Sequence, residues 1–287
     1  MKSYRDIPGD GGSDVVGQVV AQRRAVESAL GGVRHLVAVG SGKGGVGKST
    51  LTLALALAMG QRGRSVAVLD ADLNGPSQAL LAGIDGRPWV PGDEGLLPPR
   101  RADGIAVLSL GSVLAAGEPL TFASAAQGDE HTWRATREHA LFSQLLAGVA
   151  WGGLDALLID LPPGSERTRH FLGQLPTRAR LLLVTLPSAL ARGVVARGLG
   201  GAGREQLLGY LENMSGYACR GCDTVQPLFP VAEESLDAPC LGRIPFDPEL
   251  AAWCDRGLPE AGALATSPAF RAVAVAADAL DALLETP

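Results

Sequence analysis

The chain has 287 residues, and 46% apolar content with 38 glycines and 19 prolines fits a globular, turn-rich protein, not a disordered or fibrous one. A formal net charge of −5 gives no electrostatic basis for non-specific nucleic-acid binding. No apolar run is long enough to span a membrane, and Met1–Asp6 has no apolar core, so neither a membrane segment nor a secretory signal is expected.

In chain order, residues 1–13 are polar and glycine-rich and read as a mobile lead-in. Val15, Val19, Val26 and Leu30 recur at helical spacing and predict an amphipathic helix, which closes a lead-in segment over 1–34. From residue 35 to 287 the pattern is that of one nucleotide-binding domain. His35–Val39 predicts a strand, Gly42–Thr50 a glycine-rich loop, and Leu51–Ala58 a helix. Ser65–Asp70 is a second strand, ending on acid. Gly83–Gly104, rich in glycine and proline, reads as an excursion loop before a strand at Ile105–Leu110. Residues 113–132 are weakly patterned and read as mobile or partner-dependent. A helix is predicted over Arg134–Val149. Strands follow at Asp155–Leu161, Arg180–Leu186, Gln206–Glu212 and Cys240–Ile244, then a last helix over Pro268–Glu285. Strands alternating with helices predict an α/β fold with a mostly parallel sheet covered on both faces.

The stretch Gly42-Lys43-Gly44-Gly45-Val46-Gly47-Lys48-Ser49-Thr50, set between strand and helix, has the composition of a phosphate-binding loop. Its glycines let successive amides face an anion, and the helix starting near Ser49 adds its positive end. Lys48 is placed for the β- and γ-phosphates of ATP, and the Ser49 hydroxyl for Mg²⁺. Lys43 occupies a position the general pattern leaves free. It reads either as a lysine acting across a subunit interface, as an arginine finger does, or as a solvated loop charge.

Two acidic motifs lie at strand ends, where such folds place ligands. Asp160, before Leu161-Pro162-Pro163-Gly164, has the form of a Walker B carboxylate, second shell to Mg²⁺ or directly on it. In Asp70-Ala71-Asp72-Leu73-Asn74-Gly75-Pro76-Ser77, Asp72 reads as the residue orienting the attacking water and Asp70 as support for the metal site. An aspartate after a strand also serves commonly as a helix cap.

These motifs, followed by Glu212-Asn213-Met214-Ser215 and Cys219-Arg220-Gly221-Cys222, resemble in order and spacing the Mrp/ApbC family of iron–sulfur cluster carrier ATPases, within the MinD/ParA-like deviant Walker A group. The resemblance covers roughly residues 35–260. It implies a parallel-sheet homodimer with ATP near the interface, Lys43 contributing across it and Asn213 contacting the adenine. Leu241–Pro248, with Pro245, resembles the family's late strand and nucleotide-side loop. The cytoplasm is the implied location and apo iron–sulfur proteins the implied recipients, with no nucleic acid or membrane as partner.

One Cys-x-x-Cys pair supplies two thiolates, whereas tetrahedral zinc or a cubane cluster wants four sulfurs. A two-fold axis joining Cys219 and Cys222 of two chains reaches four, and in the family that shared site holds a [4Fe–4S] cluster. Cys240 and Cys254 read as buried, small apolar residues. The four cysteines together suit a reducing cytosol better than a disulfide framework. His35, His131, His139 and His170 show no ligand spacing and read as surface or packing residues, and Arg100-Arg101 as a solvated pair.

The chain departs from the family at Ser165-Glu166-Arg167 after Pro-Pro-Gly and at Ala135-Thr136 after Trp133-Arg134, segments that read nucleotide state. A zinc-clamped targeting ATPase would need a methionine-rich groove, which three methionines do not supply. A MinD-like positioning ATPase would need a basic membrane helix, and a ParA-like partitioner a basic surface.

Overall fold

Leu36 and Ala38 face one side of the first strand, Val37 and Val39 the other, and all four are buried. That period-2 burial on both faces makes β1 (Val33–Ser41) a central strand of a sheet covered on both sides. The computed structural model describes residues 15–113, 130–188, 191, 193, 205–219, 221, 224–228 and 237–286. Within them follow α1 (Val15–Ala29), β1, α2 (Lys48–Gln61), β2 (Val66–Asp70), α3 (Gln78–Ala82), β3 (Val90–Gly92), β4 (Gly95–Leu97) and β5 (Ala106–Leu108). Then come α4 (Glu130–Gly148), β6 (Leu154–Asp160), α5 (Ser165–Leu172), β7 (Arg180–Thr185), β8 (Leu207–Ala218) and β9 (Val225–Gln226). The chain closes with β10 (Cys240–Phe246), α6 (Pro248–Cys254), α7 (Ala261–Leu264) and α8 (Pro268–Leu284).

The sheet order is β10-β8-β7-β1-β6-β2-β5, with every neighbouring pair parallel. The expected mostly parallel sheet is therefore observed. One face packs the apolar residues of α2 and α8, among them Leu53, Leu57, Phe270 and Val273. The other packs α1, α4 and α5 through Val26, Leu30, Phe142, Leu146 and Phe171. The lead-in helix α1 thus joins the core through its last turns.

Several boundaries differ from the sequence reading. The excursion over 83–104 contains an antiparallel hairpin, β3–β4. Helix α4 starts at Glu130, inside the stretch read as weakly patterned, whereas residues 114–129 lie outside the described residues, as do 1–14. Strand β8 runs six residues past Glu212, because its far end pairs with β9 in an antiparallel hairpin. Gly216 allows that pairing: a Cβ there would lie 2.5 Å from Val225 Cγ1.

Two side-chain readings need correction. Cys240 is exposed, not buried, because it opens β10 at the edge of the sheet. Arg101 is not a solvated charge. Its side chain is 6% exposed, and its guanidinium donates to the carbonyls of Ala82 (2.8 Å), Leu258 (3.0 Å) and Pro259 (3.0 Å) and pairs with Asp103. It ties the end of α3 to the segment before α7. Arg101→Ala would leave three carbonyls without their charged donor and is expected to cost roughly 3 kcal/mol of stability. Urea unfolding with an unchanged midpoint would contradict this.

Candidate functional site

The register of the sheet builds the interior of the site. Parallel pairing of β2 with β6 sets Asp70 beside Asp160, and pairing of β1 with β6 sets Val39 beside Asp160. Both carboxylates arrive at the carboxyl ends of their strands, where the loop from β1 to α2 begins. Lys48, the first residue of α2, turns inward and forms an ion pair with Asp160, at 6% and 0% exposure respectively. The second oxygen of Asp160 accepts from Gln78 Nε2 at 2.9 Å, while the same amide donates to the Ser49 carbonyl at 3.0 Å.

Asp70 is spent on the backbone around it. One oxygen accepts from the Asp72 N–H (3.2 Å), the other from the Gln78 N–H (2.9 Å) and the Ser109 hydroxyl (2.9 Å). Gln78 opens α3, so the aspartate serving a helix start is Asp70, not Asp72. Burial first, then the neighbouring charge of Asp160, pushes Asp70 up to about 7.

Above this layer a cleft of about 220 Å³ is lined by Ser41, Lys43, Gly44, Gly45, Val46, Gly47, Lys48, Ser49, Thr50, Asp72 and Pro163. Nearly the whole predicted loop, with Asp72, therefore comes together around one cavity. Gly42 leads into it. Gly47 adopts φ 82°, and a Cβ on it would lie 2.2 Å from Asn213 Nδ2. Glycine is thus demanded twice at this position, by conformation and by space. Asn213 reaches the loop from β8 and donates to the Val46 carbonyl at 2.8 Å. Pro245 stands on the adjoining strand, next to Ile244, which pairs with Asn213. Asp70 and Asp160 do not line the cleft; they stand behind it. Lys43 is exposed on the rim, with no ion pair among the described residues.

Asp72 is raised from the ordinary carboxylate range by burial, with Lys48 and then Arg167 pulling it back. Arg167, one of the departures after Pro162-Pro163-Gly164, donates to Glu138 of α4 at 2.6 Å. Asn74, two residues past Asp72, donates to the other oxygen of Glu138 at 2.6 Å. Sequence reading missed Gln78 and Glu138. Glu138 did leave a signal: it stands four residues before buried Phe142, an acid on the apolar face of its helix. The side chains of the other departure, 133–136, lie outside the described residues.

Cys219 follows the end of β8, half-buried, and its N–H donates to the Thr224 carbonyl at 3.0 Å. Cys219 therefore stands at the start of the segment between β8 and β9; Cys222 lies outside the described residues. Cys254, half-buried, meets the Thr50 hydroxyl at 3.5 Å, and burial pushes its thiol up, as suits a packed cysteine. His139 packs edge-on against His170 and Phe171, with ring centroids 6.1 and 5.3 Å away. His35 is half-buried beside Arg34, and burial lowers it; the side chain of His131 lies outside the described residues.

The sequence matches the family model described as ParA, NUBPL iron-transfer P-loop NTPase, over residues 32–281. It is 38% identical over 271 residues to the cytosolic Fe-S cluster assembly factor NUBP2 of Bos taurus, across 90% of this chain and 95% of that one. It is 39% identical over 235 residues to the iron-sulfur cluster carrier protein of Mycobacterium bovis, across 77% of this chain and 58% of that one. A nucleotide-binding protein of Archaeoglobus fulgidus, solved in complex with ADP, superposes with a TM-score of 0.65 at 28% identity, over 81% of this chain and 90% of that one. The cell division ATPase MinD of Pyrococcus furiosus shares the fold, with a TM-score of 0.59 at 22% identity over 87% and 99% of the two chains. On the extent of that family match, and on an identity kept along nearly the whole bovine factor, the chain belongs to the NUBPL iron-transfer P-loop NTPase family.

Proposed function

We propose that the chain carries iron–sulfur clusters as an ATP-hydrolysing homodimer in the cytoplasm and delivers them to apo iron–sulfur proteins. One observation carries this reading: the strand that touches the nucleotide loop also leads to the cysteine motif. From Asn213, bonded to Val46, β8 continues to Cys219, six residues on and no more than roughly 20 Å away even fully extended.

The amides of Gly44 to Ser49 receive the phosphates of ATP, and Lys48 exchanges Asp160 for phosphate oxygens. That exchange leaves a buried carboxylate short of its partner, which argues for slow turnover. The oxygen donors present, the Ser49 hydroxyl with Asp160 behind it, suit a hard cation such as Mg²⁺. Mg²⁺, when bound, neutralises charge on the β- and γ-phosphates. Asp70, its oxygens already engaged, supports this arrangement from behind instead of ligating. Asp72, on the cleft wall, orients the attacking water. A cleft of about 220 Å³ falls short of the roughly 300–1,000 Å³ of a complete small-molecule site. This supports a nucleotide whose base reaches out to Asn213 and Pro245 and is covered by a second copy, with Lys43 of that copy on the phosphates. Cys219 and Cys222 from both chains then supply the four sulfurs for a bridging [4Fe–4S] cargo.

Lys48→Ala is expected to weaken ATP binding about 100-fold or more with the fold intact; an unchanged calorimetric affinity would contradict the phosphate role. Lys43→Ala should still bind ATP but lose most ATP-dependent dimer closure and hydrolysis. Normal turnover would return Lys43 to a solvated charge. Cys219→Ser, repeated by the two-fold axis, removes two of four sulfurs and should abolish cluster binding after anaerobic reconstitution, with ATP affinity retained. Cys240→Ala and Cys254→Ala should keep their iron. Iron lost from Cys240→Ala but held by Cys219→Ser would overturn the shared site.

A further inference from the structure

Glu138 is a carboxylate at 6% exposure on a helix that also meets α5 through aromatic rings, such as Phe142 against Phe171 at 4.9 Å between centroids. Packing of α4 on α5 does not call for a charge there. Yet both oxygens of Glu138 are engaged at 2.6 Å, and by different segments. Asn74 belongs to the loop after β2 that carries Asp72 into the cleft. Arg167 is the third residue of α5, the helix that follows the Pro162-Pro163-Gly164 segment, which contributes Pro163 to the lining of the same cleft. A single buried carboxylate on a third element thus joins the loop that carries Asp72 to the start of α5, just past Pro163; Asp72 and Pro163 both line the phosphate cleft. The same Arg167 lends its positive charge to Asp72. Losing one partner of such a group is costly, because the remaining charge stays buried.

We propose that Glu138 is a positioning residue for hydrolysis, joining the Asp72 loop to the start of α5 through Asn74 and Arg167 so that the two segments that line the cleft with Asp72 and Pro163 hold one geometry. The proposal rests on the ATPase reading above, since it assigns Asp72 a task that depends on placement. Misplacing a reacting group by an ångström is enough to lower turnover about tenfold or more without removing substrate contacts. Nucleotide affinity, built from the loop amides and Lys48, does not pass through Glu138.

The test uses Glu138→Gln, which keeps the shape, and Asn74→Ala, which cuts the tether from its exposed end and leaves the interior packed. Both should lower kcat about tenfold with the KM for ATP within about twofold. Arg167→Lys, which retains the charge, should recover most of what Arg167→Ala loses. In the nucleotide-free protein, amide hydrogen exchange across 71–77 should rise about tenfold in Asn74→Ala and Glu138→Gln, with α2 unchanged. Unchanged exchange in this loop overturns the proposal, as does a loss carried by KM alone. The exchange arm needs no turnover. A wild-type protein that fails to hydrolyse ATP therefore defeats the functional reading and leaves the tether to be judged on exchange.

Discussion

A lysine and an aspartate shut away from water set the terms for this site. Lys48 and Asp160 pair at the base of the phosphate loop, and Asp70 stands one strand over with no ion pair of its own among the described residues. Burying such a pair costs several kcal/mol per ion before their attraction is counted, so it endures only where geometry and further hydrogen bonds are in place. Here Gln78 supplies one of those bonds and at the same time holds the Ser49 carbonyl. Burial first, and then the neighbouring charge of Asp160, lets Asp70 hold its proton up to about 7. All of this depends on strand register. A shift of one residue between β2 and β6 would part the two aspartates and turn each to the opposite face.

The second constraint is β8. Its pairing with β10 is uneven: Ile244 opposes Asn213, while Phe246 opposes Tyr217, so β8 spends four residues where β10 spends two. Met214 sits in that excess with φ 53°, a conformation few non-glycine residues adopt. Bulges of this kind re-aim a strand. The bulge falls between the residue that touches Val46 and the hairpin that carries Cys219. The strained conformation of Met214 thus lies on the segment between the Val46 contact and Cys219.

Much of this was legible in the sequence, for identifiable reasons. Glycine spacing between an apolar strand and an apolar helix announced the loop, and strand-end acids announced Asp70, Asp72 and Asp160. Apolar periodicity, however, reports burial and not partnership. Glu212-Asn213-Met214-Ser215 broke the apolar run and hid the rest of β8, whose far end pairs with a strand of only two residues, β9, too short to leave a pattern of its own. Arg101 looked solvated because its acceptors are carbonyls near residues 82 and 258. Cys240 looked buried because strand propensity does not say which strand lies at the edge. Glu138 carried a signal in its helical face, but its partners come from a distant loop and from the start of α5.

The proposed function makes β8 the shared element of loop and cysteine motif, and we propose that nucleotide state reaches the cysteines along it. The most direct measurement is the rate of cluster transfer from the reconstituted dimer to an apo-ferredoxin, with and without ATP, in the wild type and in Asn213→Ala. The account predicts an ATP-dependent rate in the wild type and a rate indifferent to ATP in Asn213→Ala, at ATP concentrations that saturate both. The same ATP response in the two proteins would contradict it.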